Sequence, residues 1–145
     1  MAAKWAKKNR PQWTSERREM QKHQECIMTK VRAGQREVNV AEIKSKYIAN
    51  IVDAAAKSKG IEKVILFGSS VNGNCTEESD MDLAVFGSLS KTKYLTSGDF
   101  KRFYDQLILF DDFRQTYDVL YFNSKAGHDS PIMRQIQEGE VLYEQ

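Results

Sequence analysis

The chain is poor in residues that would announce several kinds of protein. It holds two cysteines, Cys26 and Cys75, among 145 residues. They lie far apart, and neither has a histidine at metal-site spacing. They read as reduced thiols, which points to a cytoplasmic protein. The two histidines, His23 and His128, stand alone and read as surface residues. No window approaches the roughly 18 apolar residues of a membrane span, so no membrane partner is expected. The opening MAAKWAKKNR lacks the apolar run of a signal peptide. Internal repeats and low-complexity tracts are absent.

What is present fits a soluble globular domain. Charged residues make up 29% and apolar residues 41%, in a chain long enough to bury a core. The net charge of +2 hides a division. Residues 1–36 carry ten Lys/Arg and three Glu, a balance of +7; residues 37–145 carry twelve Lys/Arg and seventeen Asp/Glu, a balance of −5. Trp5 and Trp13 sit in the basic part. That part either grips nucleic-acid phosphate, RNA in particular, or an acidic partner, or is a solvated helix whose aromatics dock on the body. The chain divides accordingly into a basic, helical N-terminal extension (1–36) and a main domain (37–145).

Periodicity supplies the elements. Thr14 or Ser15 caps a helix predicted to run to about Arg32, with Gly34 beyond it. A second helix starts at Asn39, with Glu42 completing a capping box. Val40, Ile43, Tyr47, Ile48, Ile51, Val52 and Ala55 mark its apolar face, and Gly60 ends it. Residues 62–67 (EKVILF), 81–86 (MDLAVF) and 117–122 (YDVLYF) are predicted strands. Residues 87–97 read as a loop. Phe100, Phe103, Leu107 and Phe110 mark a helix ending near Phe113. Ser130 and Pro131 open a last helix through Glu138.

Chemistry concentrates in residues 66–85, LFGSSVNGNCTEESDMDLAV. Asp80 and Asp82 project to the same face of a strand, with Cα atoms about 6–7 Å apart. Two bare anions at that range repel, and each resists desolvation. A divalent cation between them removes both penalties, and hard carboxylate oxygens suit Mg²⁺. The bland alternative is a pair of ordinary loop and strand-start acids. Gly68 permits a sharp turn and a close backbone approach. Ser69 opens a turn whose N–H groups and hydroxyl would hold phosphate, or is a plain turn serine. Asp118, from a different strand, would complete a two-metal arrangement and help deprotonate an attacking hydroxyl; otherwise it is a strand-edge acid. Glu77, Glu78, Asp111 and Asp112 read as solvated. Ser79 is a loop residue or a support for the site, and Cys75 is incidental. Nothing in the spacing decides whether Lys91, Lys93, Lys101 or Arg102 touches a triphosphate.

Gly68-Ser69, ten residues, then Asp80-Met81-Asp82-Leu83, with Asp118 in TYDVLYF, resembles the signature of the nucleotidyltransferase superfamily typified by DNA polymerase β. The ending SPIMRQIQEGEVLYEQ is similar to the close of the small bacterial minimal nucleotidyltransferases. The likeness covers about residues 40–143. It implies an α/β (α+β) nucleotidyltransferase fold, a small mixed sheet flanked by helices, to which an N-terminal helical extension is added here. It implies a nucleoside triphosphate substrate, with ATP expected, two Mg²⁺ ions, and transfer of a nucleoside monophosphate to a hydroxyl with loss of pyrophosphate. Gly68 and Ser69 then bind nucleotide, while Asp80, Asp82 and Asp118 are the metal and catalytic residues. One departure is plain: many minimal members carry arginine where GSSVNG has Asn72. The chain also echoes RNA-tailing polymerases but is too short for their second helical domain. A helical domain or toxin protein in trans, or a homo-oligomer, is the expected completion. The competing expectation is an antitoxin-type binding module of a two-gene toxin–antitoxin pair.

Overall fold

The structure, a computed structural model, describes residues 26–127 and 129–145. Trp5, Trp13, His23, His128 and the predicted helix up to residue 25 lie outside them. The first elements correct that helix where it is described. Met28–Ala33 (β1) and Arg36–Ala41 (β2) form an antiparallel hairpin, with Ala33 opposite Arg36 across Gly34 and Gln35. Gly34 has φ 63°, which suits the first position of a two-residue hairpin turn. It turns a hairpin and does not close a helix. Alternation explains why: Val38 and Val40 are buried while Glu37 and Asn39 are exposed. Asn39 pairs with Lys30 across the hairpin and caps no helix.

Residues Glu42–Tyr47 form a 3₁₀ turn, and the α-helix α1 occupies Ile48–Lys57. The tighter winding of about three residues per turn shifts the buried face. Ile43, expected in the core, is 41% exposed, while Lys44 is 1% exposed.

A four-stranded mixed sheet follows, built from β3 (Lys63–Phe67), β4 (Met81–Gly87), β5 (Tyr117–Asn123) and β6 (Glu140–Glu144) in the order β5-β4-β3-β6. β4 and β5 run parallel, while β3 pairs antiparallel with β4 and β6. Four helices join or flank the strands: α2 (Ser69–Asn72), α3 (Lys91–Leu95), α4 (Gly98–Leu109) and α5 (Pro131–Gln137). The predicted mixed sheet flanked by helices is therefore present. α3 interrupts the predicted 87–97 loop, with the Ser90 hydroxyl accepting from the Lys93 N–H. α4 stops at Leu109, short of Phe113, because Asp111, Asp112 and Phe113 have φ of 64°, 52° and 63°. A right-handed helix does not pass through such residues. Asp111 is no plain solvated acid either: it accepts from the Tyr47 hydroxyl at 2.6 Å and pairs with Lys46 at 3.0 Å.

The main core lies on one face of the sheet. Val64, Leu66, Met81, Leu83 and Val85 meet Ile51 and Ala55 of α1 and Phe103 and Leu107 of α4 there. The opposite face carries a smaller cluster, in which Ile65, Phe67 and Ala84 pack against Met133 and Ile136 of α5. Strand alternation decides what shares that second face. Since Met81 and Leu83 face the main core, Asp82 is left on the α5 side, as Asp118 is on β5.

Cys26 and Cys75 are joined by a disulfide, which corrects the expected pair of reduced thiols. Although 49 residues apart, they meet because the start of the hairpin lies along the loop after α2, where the Cys26 N–H donates to the Gly73 carbonyl at 2.7 Å. With both thiols bonded, cysteine usage no longer speaks for a reducing compartment. Among the described residues no helix is long and apolar enough to cross a membrane.

Candidate active site

Three local features bring the acidic residues to one end of the sheet. β3 ends at Phe67, which pairs with Asp82 of β4. The chain then turns sharply at Gly68, with φ 77° and ψ −146°. Such a conformation belongs almost wholly to glycine. The turn lays the Gly68 backbone against the Asp82 carboxylate so closely that a β-carbon there would collide with Asp82 Oδ2. Next door, the parallel register of β4 and β5 sets Asp82 directly beside Asp118. Neighbouring strands lie about 4.8 Å apart. Asp80 stands just before β4, where its carboxylate accepts a short hydrogen bond from the Thr116 hydroxyl.

Electrostatics reflect this crowding. Burial pushes the Asp82 carboxyl up from its ordinary value to about 6, and the negative charges of Asp118 and Asp80 add to the shift. Asp80 and Asp118 are themselves exposed. The donor set, oxygens only with mutual repulsion, suits a hard divalent cation. The side chains are not drawn into a ready-made cage: among the described residues, no three His, Cys, Asp or Glu side chains form a group that could hold a metal ion. The Asp80 carboxylate is engaged by Thr116 instead.

Ser69 opens the single turn α2, whose residues Val71 and Asn72 donate their N–H groups back to the Gly68 carbonyl at 3.1 Å. Asn72, in the place of the expected arginine, uses its side-chain oxygen to accept from the Asn74 N–H at 3.1 Å. Thus Gly68, Ser69, Asp80, Asp82 and Asp118 converge on one end of the sheet. Lys91, Lys93, Lys101 and Arg102 belong to α3 and α4, and none is among the partners of these acids.

Residues 49–145 match the family described as polymerase beta, nucleotidyltransferase. The chain belongs to this polymerase-beta nucleotidyltransferase family. No curated protein matches it at a significant level. The family match covers α1 and all four strands of the main sheet, and begins after the hairpin and the 3₁₀ turn. The nucleotidyltransferase domain supports a general nucleotidyl-transfer function.

The sequence reading missed one group of residues beside this candidate site. Behind Asp80, the Lys44 ammonium donates to the Ser79 carbonyl at 2.7 Å, the Gln115 Oε1 at 2.8 Å and the Glu77 carbonyl at 3.1 Å. Gln115, 3% exposed, donates in turn to the carbonyls of Ser79 at 3.0 Å and Thr116 at 2.7 Å. A signal was present. Lys44, Tyr47, Ile48 and Ile51 recur at three- and four-residue spacing, and all four are buried.

Proposed function

We propose that the protein transfers a nucleoside monophosphate from a nucleoside triphosphate, ATP being the expected donor, to a hydroxyl acceptor by a two-metal mechanism. The observation that carries the reading is the Asp82 carboxylate, set between the Gly68 backbone and its register partner Asp118. Asp80, Asp82 and Asp118 would hold two Mg²⁺ ions. Bound there, the ions would polarise the triphosphate and neutralise charge developing on its oxygens. The chain's own residues do the rest. Gly68 leaves room for the Asp82 carboxylate against its backbone, and Ser69 with the first N–H groups of α2 supplies hydrogen-bond donors for phosphate. The exposed Asp118 carboxylate accepts the proton of the attacking hydroxyl.

The test is incubation with Mg²⁺, each labelled nucleoside triphosphate and candidate protein, RNA and small-molecule acceptors. Labelled acceptor and released pyrophosphate are expected, both lost in Asp82→Ala. Absence of transfer with every acceptor, or an Asp82→Ala variant as active as wild type, overturns the reading.

A second reading is an antitoxin-type module that acts by binding a partner protein. It draws on exposed apolar side chains at the end of α4: Leu109 at 58%, Phe110 at 40% and Phe113 at 63%. It predicts partner capture that survives Asp80→Ala combined with Asp82→Ala.

A further inference from the structure

Lys44 comes from the 3₁₀ turn ahead of residues 49–145, the stretch that matches the family. Its whole side chain is 1% exposed. A lysine at such a depth has lost its water, so its ammonium must be satisfied by protein groups. It is: three acceptors surround it, two of them main-chain carbonyls of the loop that delivers Asp80. Gln115 doubles the tie, since its amide binds the same Ser79 carbonyl and the Thr116 carbonyl. Thr116 in turn carries the hydroxyl bound to Asp80, and its carbonyl accepts from the Met81 N–H at 3.0 Å. The result is one continuous polar chain, Lys44–Gln115–Thr116–Asp80, with the Ser79 carbonyl bound by both Lys44 and Gln115. It fastens the start of β4 to the start of β5, the two strands that bear the acids.

We infer that Lys44, acting with Gln115, is a positioning residue that fixes Asp80, just before β4, and Asp82, on β4, against Asp118 on β5. The inference rests on the reading of those acids as metal ligands. Two physical effects follow from one side chain. Two of its three hydrogen bonds hold the loop where Asp80 leaves it, and the third holds Gln115. Its buried positive charge also lies among the acids: Asp80 and Glu77 stabilise the ammonium against the burial that pulls it down to about 8. Near neutral pH it therefore remains largely charged. Lys44→Met keeps the length and the packing but strands the Glu77 carbonyl and the Gln115 oxygen, and leaves the Ser79 carbonyl only its bond from Gln115. Gln115→Met keeps the charge and removes the link to Ser79 and Thr116. Residues that orient metal ligands from behind change metal affinity by about 10- to 100-fold when replaced.

The test titrates Mn²⁺, read by electron paramagnetic resonance, into the full chain with a non-hydrolysable ATP analogue. Wild type, Lys44→Met, Lys44→Arg, Gln115→Met and the core variant Ile51→Val are compared, with melting temperatures taken alongside. Lys44→Met and Gln115→Met should bind Mn²⁺ at least about 10-fold more weakly. Lys44→Arg, which keeps charge and donors, should retain most of the affinity. Ile51→Val should lose stability without losing affinity, which separates positioning from a merely structural role. If Lys44→Met does not fold, Gln115→Met and Lys44→Arg decide the matter. Wild-type affinity in the folded Met variants overturns the role of Lys44 while leaving the metal reading intact. Failure of the wild type itself to bind Mn²⁺ overturns the metal reading, and this inference with it.

Discussion

Gly68→Ala separates backbone strain from site chemistry. The substitution adds one methyl group at φ 77° and ψ −146°. Holding a non-glycine residue there costs about 1–3 kcal/mol. For a chain of this size each kcal/mol moves the melting temperature by about 3 °C, so a loss of about 3–9 °C is expected. The second effect is local. The new methyl would meet Asp82 Oδ2, with Cγ at 3.4 Å and Cβ at 3.6 Å. The carboxylate is the movable partner, so it swings out of place. A displacement of about 1 Å at a reacting centre lowers rate by about 100-fold. Gly73→Ala is the matched control: its φ is 84°, yet nothing lies within 4 Å of an added β-carbon. That variant should melt lower, at a cost of about 1–2 kcal/mol, and keep its ion affinity and activity. Calorimetry gives the stabilities, and Mn²⁺ titration with nucleotidyl transfer gives the site. If Gly68→Ala keeps wild-type ion affinity, or falls only as far as Gly73→Ala, the argument from the Gly68–Asp82 approach is wrong.

Two further perturbations follow from the same structure. The folded-state pKa of Asp82 is raised to about 6, so in metal-free protein its charge disfavours the fold above that pH, and protonation relieves the penalty as pH falls toward 4. Asp82→Asn should therefore raise the melting temperature in EDTA at pH 7.5 and give little gain at pH 4.5; a gain that grows toward low pH contradicts the shift. The Cys26–Cys75 bond closes a loop with a sequence separation of 49, for which chain entropy gives about 4 kcal/mol. Dithiothreitol should lower the melting temperature by on the order of 10 °C, whereas two free thiols titrated in the unreduced protein would contradict the pairing.

The parts legible in the sequence were those with strong local signals. The apolar runs of β3, β4 and β5 and the stripe of α1 declared themselves through burial. That Gly68, Asp80, Asp82 and Asp118 lie together at one end of the sheet was legible because a glycine after a strand and paired carboxylates beside one stand out against apolar flanks. The hairpin was hidden because its signal is mixed. Met28 and Val31 fit a helical spacing, and Gly34 serves a hairpin turn as readily as a helix end. Only the alternation of Val38 and Val40 with Glu37 and Asn39 favours a strand, and it is short. Lys44 was passed over although it keeps three- and four-residue spacing with Tyr47 and Ile48, because a lysine on such a stripe reads as solvated unless acceptors for its ammonium are known. β6 was passed over because Glu140–Glu144 is a half-buried edge strand with charged ends. The Cys26–Cys75 pairing depends on the hairpin's placement, so no reading that made residues 14–32 a helix could reach it.

The central claim is that Asp80, Asp82 and Asp118 share divalent ions beside the Gly68–Ser69 turn. A crystal of the full chain grown with Mn²⁺ and a non-hydrolysable ATP analogue tests it most directly, because anomalous scattering locates Mn²⁺ without assumption. The account predicts Mn²⁺ peaks ligated by these three carboxylates, with the triphosphate against residues 68–70. Nucleotide bound elsewhere, or Mn²⁺ peaks that avoid Asp82 and Asp118, would contradict it.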